Sequence, residues 1–389
     1  MKKRKNLYCF LIAIIVVGVF MGISMSTVGA TELSDNVNEQ LENIDLTELE
    51  KFYNENLIGA EGVDFFSVLG KMLNGEFTFT TDSGLNYAFQ VFFNQLIEVI
   101  PSLLSIVAIA IFCGIINNVK SSTFSESTSS IVNFVAILAV ALILSANLFS
   151  IFINARNLIQ NLTKSTEIMS PIILTMMVAS GGNISAGIYK PVVALLSGGI
   201  ANIFLCVILP LIVISCIFNI ISDFSDTARL RKLSEFFTGL IKWIIGLVVV
   251  IYSFFITAQG ITVANYDGIS MKAAKYVISN GVPIIGGFLG GGFDLVVAGS
   301  VLIKNSIGMV VVFALFYNLL SPVLFMVAFN LVLKFIAGVT EPVANSKIPE
   351  FCVNISKSIT HLIVAVLMVG LMFFVTILLM IFSANAFVI

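Results

Sequence analysis

The chain has 389 residues, 58% of them hydrophobic and 11% charged, with a formal net charge of −2. Soluble domains carry about 25% charged residues, so this composition excludes an ordinary soluble fold and demands lipid. From Thr31 to Gln90 there are twelve acidic and two basic residues, a net of −10, whereas from Val91 onward there are fourteen basic and ten acidic, a net of +4. An acidic soluble segment is thus joined to a mildly basic membrane body, with too few basic residues for direct nucleic-acid binding.

Lys2, Lys3, Arg4 and Lys5 precede an apolar run from Leu7 to Met21 and then Val28-Gly29-Ala30. A basic start, a short apolar core and small residues before the cleavage point predict a signal peptide over residues 1–30. A retained anchor helix is the competing reading; either one exports the segment after it. Residues 31–90 form the acidic extracytoplasmic segment. Val37, Leu41, Ile44, Leu49 and Phe52 make a loose helical stripe, which predicts one or two helices there. Leu85, Phe89, Phe92 and Leu96 recur at spacings of four, three and four and predict an amphipathic helix leading into the first span.

Residues 91–389 read as an all-α polytopic body of about six to eight transmembrane helices, some of them broken or re-entrant. Spans are predicted over 96–116 and 131–153, separated by a serine-rich loop. The apolar piece Ile168–Ala179 holds only twelve residues. Twelve residues rise about 18 Å, too little for a hydrocarbon core of about 30 Å, so a re-entrant element is expected. A long run extends from Pro191 to Ile221, with Pro210 inside it. Arg229, Arg231 and Lys232 then interleave with Leu230, Leu233, Phe236 and Phe237 in a basic amphipathic helix, the strongest signal for a cytoplasmic side. Trp243 marks an interface before a span at 244–258. Beyond the central stretch, an apolar run to Gly338 is divided by Pro322, a polar loop covers 339–357, and the last span is predicted at 359–382.

The central stretch, Ala264–Gly308, departs from a plain span. It carries Pro283, clustered glycines including Gly286, Gly287, Gly290 and Gly291, and the charges Asp294 and Lys304. Irregular backbone survives at membrane depth only under cover of protein or water, and intramembrane charges cost roughly 2.5–3.5 kcal/mol each on insertion scales. A broken or re-entrant element is expected here. Asp294 and Lys304 are ten positions apart, about 15 Å on an unbroken helix, so their pairing needs a break or each needs another partner. Gly286/Gly290 and Gly287/Gly291 form overlapping G-x-x-x-G spacings suited to close helix contact within the chain or between subunits, so a homo-oligomer is possible. The same grammar of lysine, Pro-Ile-Ile and glycines recurs at Lys164, Pro171–Ile173, Gly181 and Gly182, an internal-repeat signature of transporter-like folds. It competes with the general frequency of glycine and proline in membrane helices.

Chemistry is sparse. His361 is the only histidine, and no G-x-S-x-G turn, Walker A loop or H-E-x-x-H pair occurs. No enzyme activity, catalytic residue, metal or cofactor is expected. Cys9, Cys113, Cys206, Cys216 and Cys352 have no C-x-x-C spacing and read mainly as buried thiols.

Several pieces fall in order at a familiar spacing: Ala179–Gly182 with Ser185-Ala186 and Pro191-Val192, Asp267-Gly268-Ile269, Pro283–Gly286 with Asp294, Ser300–Gly308 and Ile355–Ser358. In these the chain resembles the stage III sporulation protein AE family of endospore-forming bacteria. The resemblance implies a component of the secretion-like apparatus linking mother cell and forespore, needed for late forespore gene expression. It also implies a place in the outer forespore membrane, with other products of the same operon and a forespore membrane protein as partners. The residues alone leave a second reading open, a stand-alone permease with a midplane site at the broken helices.

Overall fold

The computed structural model describes residues 40–41, 44–56, 65–74, 81–119, 126–224, 230–281, 286–342 and 347–383. The predicted signal peptide lies outside them. Among the described residues every regular element is helical. Two short helices, α1 (Thr47–Asn56) and α2 (Phe65–Leu73), come first. Asp45 Oδ1 accepts from the Thr47 amide at 3.1 Å and caps α1; hydrogen bonds from the Thr47 side chain and backbone hold its carboxyl below the usual range.

The body begins with α3 (Thr81–Val119) and α4 (Glu126–Ala179). A tight turn leads into α5 (Asn183–Ala194), which continues through π-helical turns at Leu195–Ile200 and Phe204–Ile208 into α6 (Leu209–Phe224). Three long helices complete it: α7 (Arg231–Gly281), α8 (Gly286–Thr340) and α9 (Lys347–Phe382). Among the described residues five helices are long and apolar enough to cross a membrane, or six if the 40° bend between Asn86–Pro101 and Leu103–Ile116 in α3 lies within one span. Six meets the lower edge of the expected six to eight, and five falls one short of it.

Three expectations change. The apolar piece at 168–179 is not a separate re-entrant element, because α4 runs unbroken through it. No glycine interrupts Glu126–Ala179, and buried Ile151, Ala155, Leu158, Ile159, Leu162 and Met169 keep one helical stripe through the polar middle. Ser165 and Thr166 are buried there but satisfy their hydroxyls on the Asn161 and Leu162 carbonyls. Within the central stretch α7 ends at Gly281 and α8 begins at Gly286, in keeping with the expected broken element, and positions 282–285 lie outside the described residues. Pro322 sits inside α8 without ending it. Finally, the run after Pro191 begins earlier, at Asn183, and forms one rod whose π turns absorb its awkward length.

α8 and α9 pack antiparallel at the centre. Leu319 lies beside Gly370, and Asn330 bonds across to Thr360 at 3.0 Å and accepts from Ser356 at 2.5 Å. α7 lies antiparallel to the α5–α6 rod. Ser215 meets Ser234 at 3.0 Å near one end, and Asp267 meets Ser185 near the other. Tyr252 ties α7 to α9 by donating to the Met372 carbonyl at 2.9 Å. Arg231 and Glu350, 3.7 Å apart, mark the basic end of this bundle. The described part of the acidic segment is not detached. Leu49, Tyr53, Phe65 and Leu69 join the main core, and Gln40 bonds to Val296 and Ser300 of α8.

Candidate functional site

The end of the bundle opposite Arg231 carries the most unusual chemistry, and it starts from a turn. α4 stops at Ala179 because Gly181 adopts φ 87°, the left-handed region open to glycine. The Gly182 amide then bonds to the Met177 carbonyl at 2.7 Å and the Gly181 amide to Val178 at 2.9 Å. These two bonds close the end of α4 in a Schellman arrangement. Two residues later α5 begins with Gly182 as its cap, a residue with no side chain to accept from the free first-turn amides.

Asp267, from the far half of α7, supplies the missing acceptor. Its Oδ1 takes the Ile184 amide at 3.0 Å, and Oδ2 takes the Ser185 amide at 3.1 Å and also the Ser185 hydroxyl. Asp267 is 1% exposed and Ser185 is fully buried. A buried carboxylate is costly unless paired; here the positive end of a helix and three donors hold it.

The mirror-image arrangement lies close by. Lys304 is 0% exposed, and its ammonium donates to the Ser383 carbonyl, just past the last turn of α9. A cation at a helix C-terminus meets the negative end of the dipole and satisfies an orphan carbonyl. Tyr189, one turn along α5 from Ser185, donates to the Leu379 carbonyl at 3.3 Å. Leu379 is in turn one turn before Ser383. Three polar contacts, spaced one helical turn apart along α5 and α9, therefore form a line that links four helices, from Asp267 on α7 through α5 and α9 to Lys304 on α8.

The residues singled out in the sequence take different places in this arrangement. Gly181 and Gly182 make the turn that Asp267 seals. Lys304 closes the other end of the line. Asp294 does not reach Lys304; it pairs with Lys275 of α7 at 2.6 Å, both about half exposed. Gly286 and Gly287 lie at the start of α8, and Pro283 falls outside the described residues. Gly290 faces the Ser279 side chain at ordinary contact distance, 3.5 Å, and Gly291 has open space around it. Pro171 lies inside α4, nine residues before its turn. Asp267 is the residue the site reading missed. Its signal was indirect: a helix beginning at Gly-Gly-Asn has no strong local acceptor at its cap and needs one from elsewhere.

The line is a set of reciprocal helix caps, not a reaction centre. Among the described residues no group of three or more His, Cys, Asp or Glu side chains gathers as a metal site. His361 is half-buried in α9, remote in sequence from every member of the line.

The family model described as Stage III sporulation protein AE matches residues 63–384, a range that includes every residue of the polar line. The Stage III sporulation protein AE of Bacillus subtilis (strain 168) is 26% identical over 318 residues, covering 82% of this chain and 79% of that protein. No solved structure matches. With the match extending over most of its length, the chain belongs to the Stage III sporulation protein AE family.

Proposed function

We propose that the chain is a non-enzymatic subunit of a transenvelope channel between mother cell and forespore, seated in the mother-cell-derived outer forespore membrane. The acidic N-terminal segment would face the space between the two membranes. There it would meet the other products of its operon and a forespore membrane protein.

The observation that supports this reading is helix length. α4, α7 and α8 hold 54, 51 and 55 residues. At 1.5 Å per residue each is roughly 76–82 Å long, against a hydrocarbon core of about 30 Å. Much of each helix must stand outside the bilayer, as a protein reaching across an aqueous gap requires. The buried charges Asp267 and Lys304 are also each spent on capping a helix end of the same chain.

The test has two arms. Deleting the gene in a sporulating host should abolish a late forespore reporter and lower spore yield. The purified full chain in vesicles should move no solute from a panel of ions, amino acids and nucleotides. Solute flux by the chain alone would overturn the reading in favour of a permease.

A further inference from the structure

Four helices meet at one level of the bundle, and that level is the middle of the membrane. Lys242 and Trp243 are exposed at the basic end of α7, as residues at a membrane surface are. Tyr252 lies nine positions further on, about 14 Å, close to half of a hydrocarbon core of about 30 Å. Around it α7 turns Leu247, Val250, Phe254 and Phe255 outward, a face that suits lipid. Tyr252 donates to the Met372 carbonyl of α9 at 2.9 Å. Gly370 and Phe374, on either side of Met372, line one small cavity with Leu162 of α4 and Leu319 of α8. Leu162 therefore sits at the level of Tyr252.

At that level the outer face of α4 is polar. Arg156, Gln160, Lys164 and Glu167 are exposed at steps of four, four and three, which places them on one helix face. The other face, with Leu158, Ile159, Leu162 and Thr166, is buried in the core. The exposed apolar side chains of α4, such as Phe134, Leu142 and Phe149, end before the stripe begins. From Arg156 to Glu167 the stripe is about 16 Å long, and it brackets Leu162. Among the described residues none of its three charges has an ion-pair partner. Lys164 is two positions past Leu162, which leaves about 12 Å of hydrocarbon to the nearer surface, too far for its stem to carry the ammonium out. Charges at such a depth face protein or a water-filled cavity, not lipid.

We propose that the Arg156–Glu167 face of α4 is the wall of a water-filled vestibule at the middle of the membrane, a surface for hydrated polar solutes from which lipid is excluded. The same depth is thus apolar on the α7 side of the bundle and wet on the α4 side. Both signs of charge and an amide line the wall, so it is suited to pass hydrated solutes rather than to select one ion. The stripe covers about half of the core, so one chain gives a vestibule and not a through-path. What the water carries rests on the channel reading; the presence of the water does not.

Fluorescence quenching in vesicles tests it. Cys113, Cys216 and Cys352 are buried, so a full chain carrying Cys9→Ser and Cys206→Ser takes a bimane label only where a new cysteine is placed. Gln160→Cys, Lys164→Cys and, as the control at the same depth, Phe254→Cys are all at exposed positions. Aqueous iodide should quench the two α4 labels several-fold more than the Phe254→Cys label. Nitroxide lipids should quench Phe254→Cys most strongly from mid-chain, and the α4 labels several-fold less from any depth. Four results would overturn the proposal: α4 labels quenched by headgroup nitroxide, which places the stripe at the bilayer surface; quenched by mid-chain nitroxide, which places it in lipid; quenched by neither lipid nor iodide, which makes it a dry protein contact; or equal iodide quenching at Phe254→Cys, which means that Tyr252 does not mark the middle. If the labels behave as expected while deletion of the gene leaves the late forespore reporter unchanged, the vestibule stands and the channel reading alone fails.

Discussion

At the scale of single residues, the two buried charges have opposite expected sensitivities. Asp267 serves three donors, two of them first-turn amides of α5. Losing a cap acceptor costs about 0.5–2 kcal/mol, and leaving a buried donor without a partner adds about 1–3 kcal/mol. Asp267→Ala should therefore lower stability by about 3 kcal/mol, with Asp267→Asn intermediate, as read by thermal unfolding in detergent. An unchanged midpoint for the alanine variant would rule out Asp267 as the cap of α5. Lys304 behaves differently, because burying a charge is itself expensive. An apolar side chain of similar volume is often neutral or better at such a site. Lys304→Met should keep its midpoint, whereas Lys304→Ala should lose about 2–5 kcal/mol by opening a cavity. Asp294 and Lys275 form a half-exposed pair, worth about 0–1 kcal/mol. Asp294→Ala should leave protein level and unfolding unchanged, so any fall in spore yield would report a lost partner contact rather than a damaged fold.

At the scale of elements, what the sequence carries and what it hides can be separated. The basic start of α7 and the final span were readable from charge clusters and hydropathy. The continuity of α4 was also written in the chain: Ala155, Leu158, Leu162 and Met169 keep helical spacing across residues that composition alone marks as a loop. In the segment 264–308 the glycines from Gly286 onward do not interrupt α8, for a physical reason. Glycine weakens an isolated helix by about 1 kcal/mol relative to alanine, but tertiary packing readily overrides that, and α7 lies alongside. Asp267 was hidden because its partners lie 82 and 83 positions away, beyond any local spacing rule. Packing makes its own prediction for glycines that patterning passed over. A Cβ on Gly308 would overlap Ile381 at its branched, conformationally stiff Cγ1. A Cβ on Gly370 would come within 2.6 Å of Leu319 Cδ1, the free end of a flexible chain. Overpacking costs about 1–3 kcal/mol, so Gly308→Ala should fall at the upper end and Gly370→Ala at the lower. Equal shifts in unfolding midpoint would mean that α8 and α9 are not in this register.

At the scale of the whole molecule, the contacts decide which segments share a side of the membrane. Ser215–Ser234 and Ser185–Asp267 lie at opposite ends of the α5–α6/α7 pair. They are separated by about 50 Å of α7, more than a bilayer core. The Arg231 end includes Glu350 of α9, and the Asp267 end continues through Tyr189 to Leu379 and Ser383. α9 therefore runs from the basic end to the polar line, and α8 runs back. Gln40 meets α8 at Val296 and Ser300, before Lys304, so the acidic segment meets α8 beyond the polar line, on the side away from Arg231. If Arg231, Lys232 and Lys347 face the cytoplasm, as the excess of positive charge directs, then Glu48, Lys272 and Ser383 must lie across the membrane from it. Single cysteines at Glu48, Lys232 and Lys272, in a chain whose native cysteines are replaced by serine, test this. All three positions are exposed. An impermeant maleimide applied to intact cells should label Glu48→Cys and Lys272→Cys, and should reach Lys232→Cys only after permeabilisation. Labelling of Lys232→Cys together with Lys272→Cys in intact cells would mean that α7 does not cross, and the order of passes derived from these contacts would fail with it.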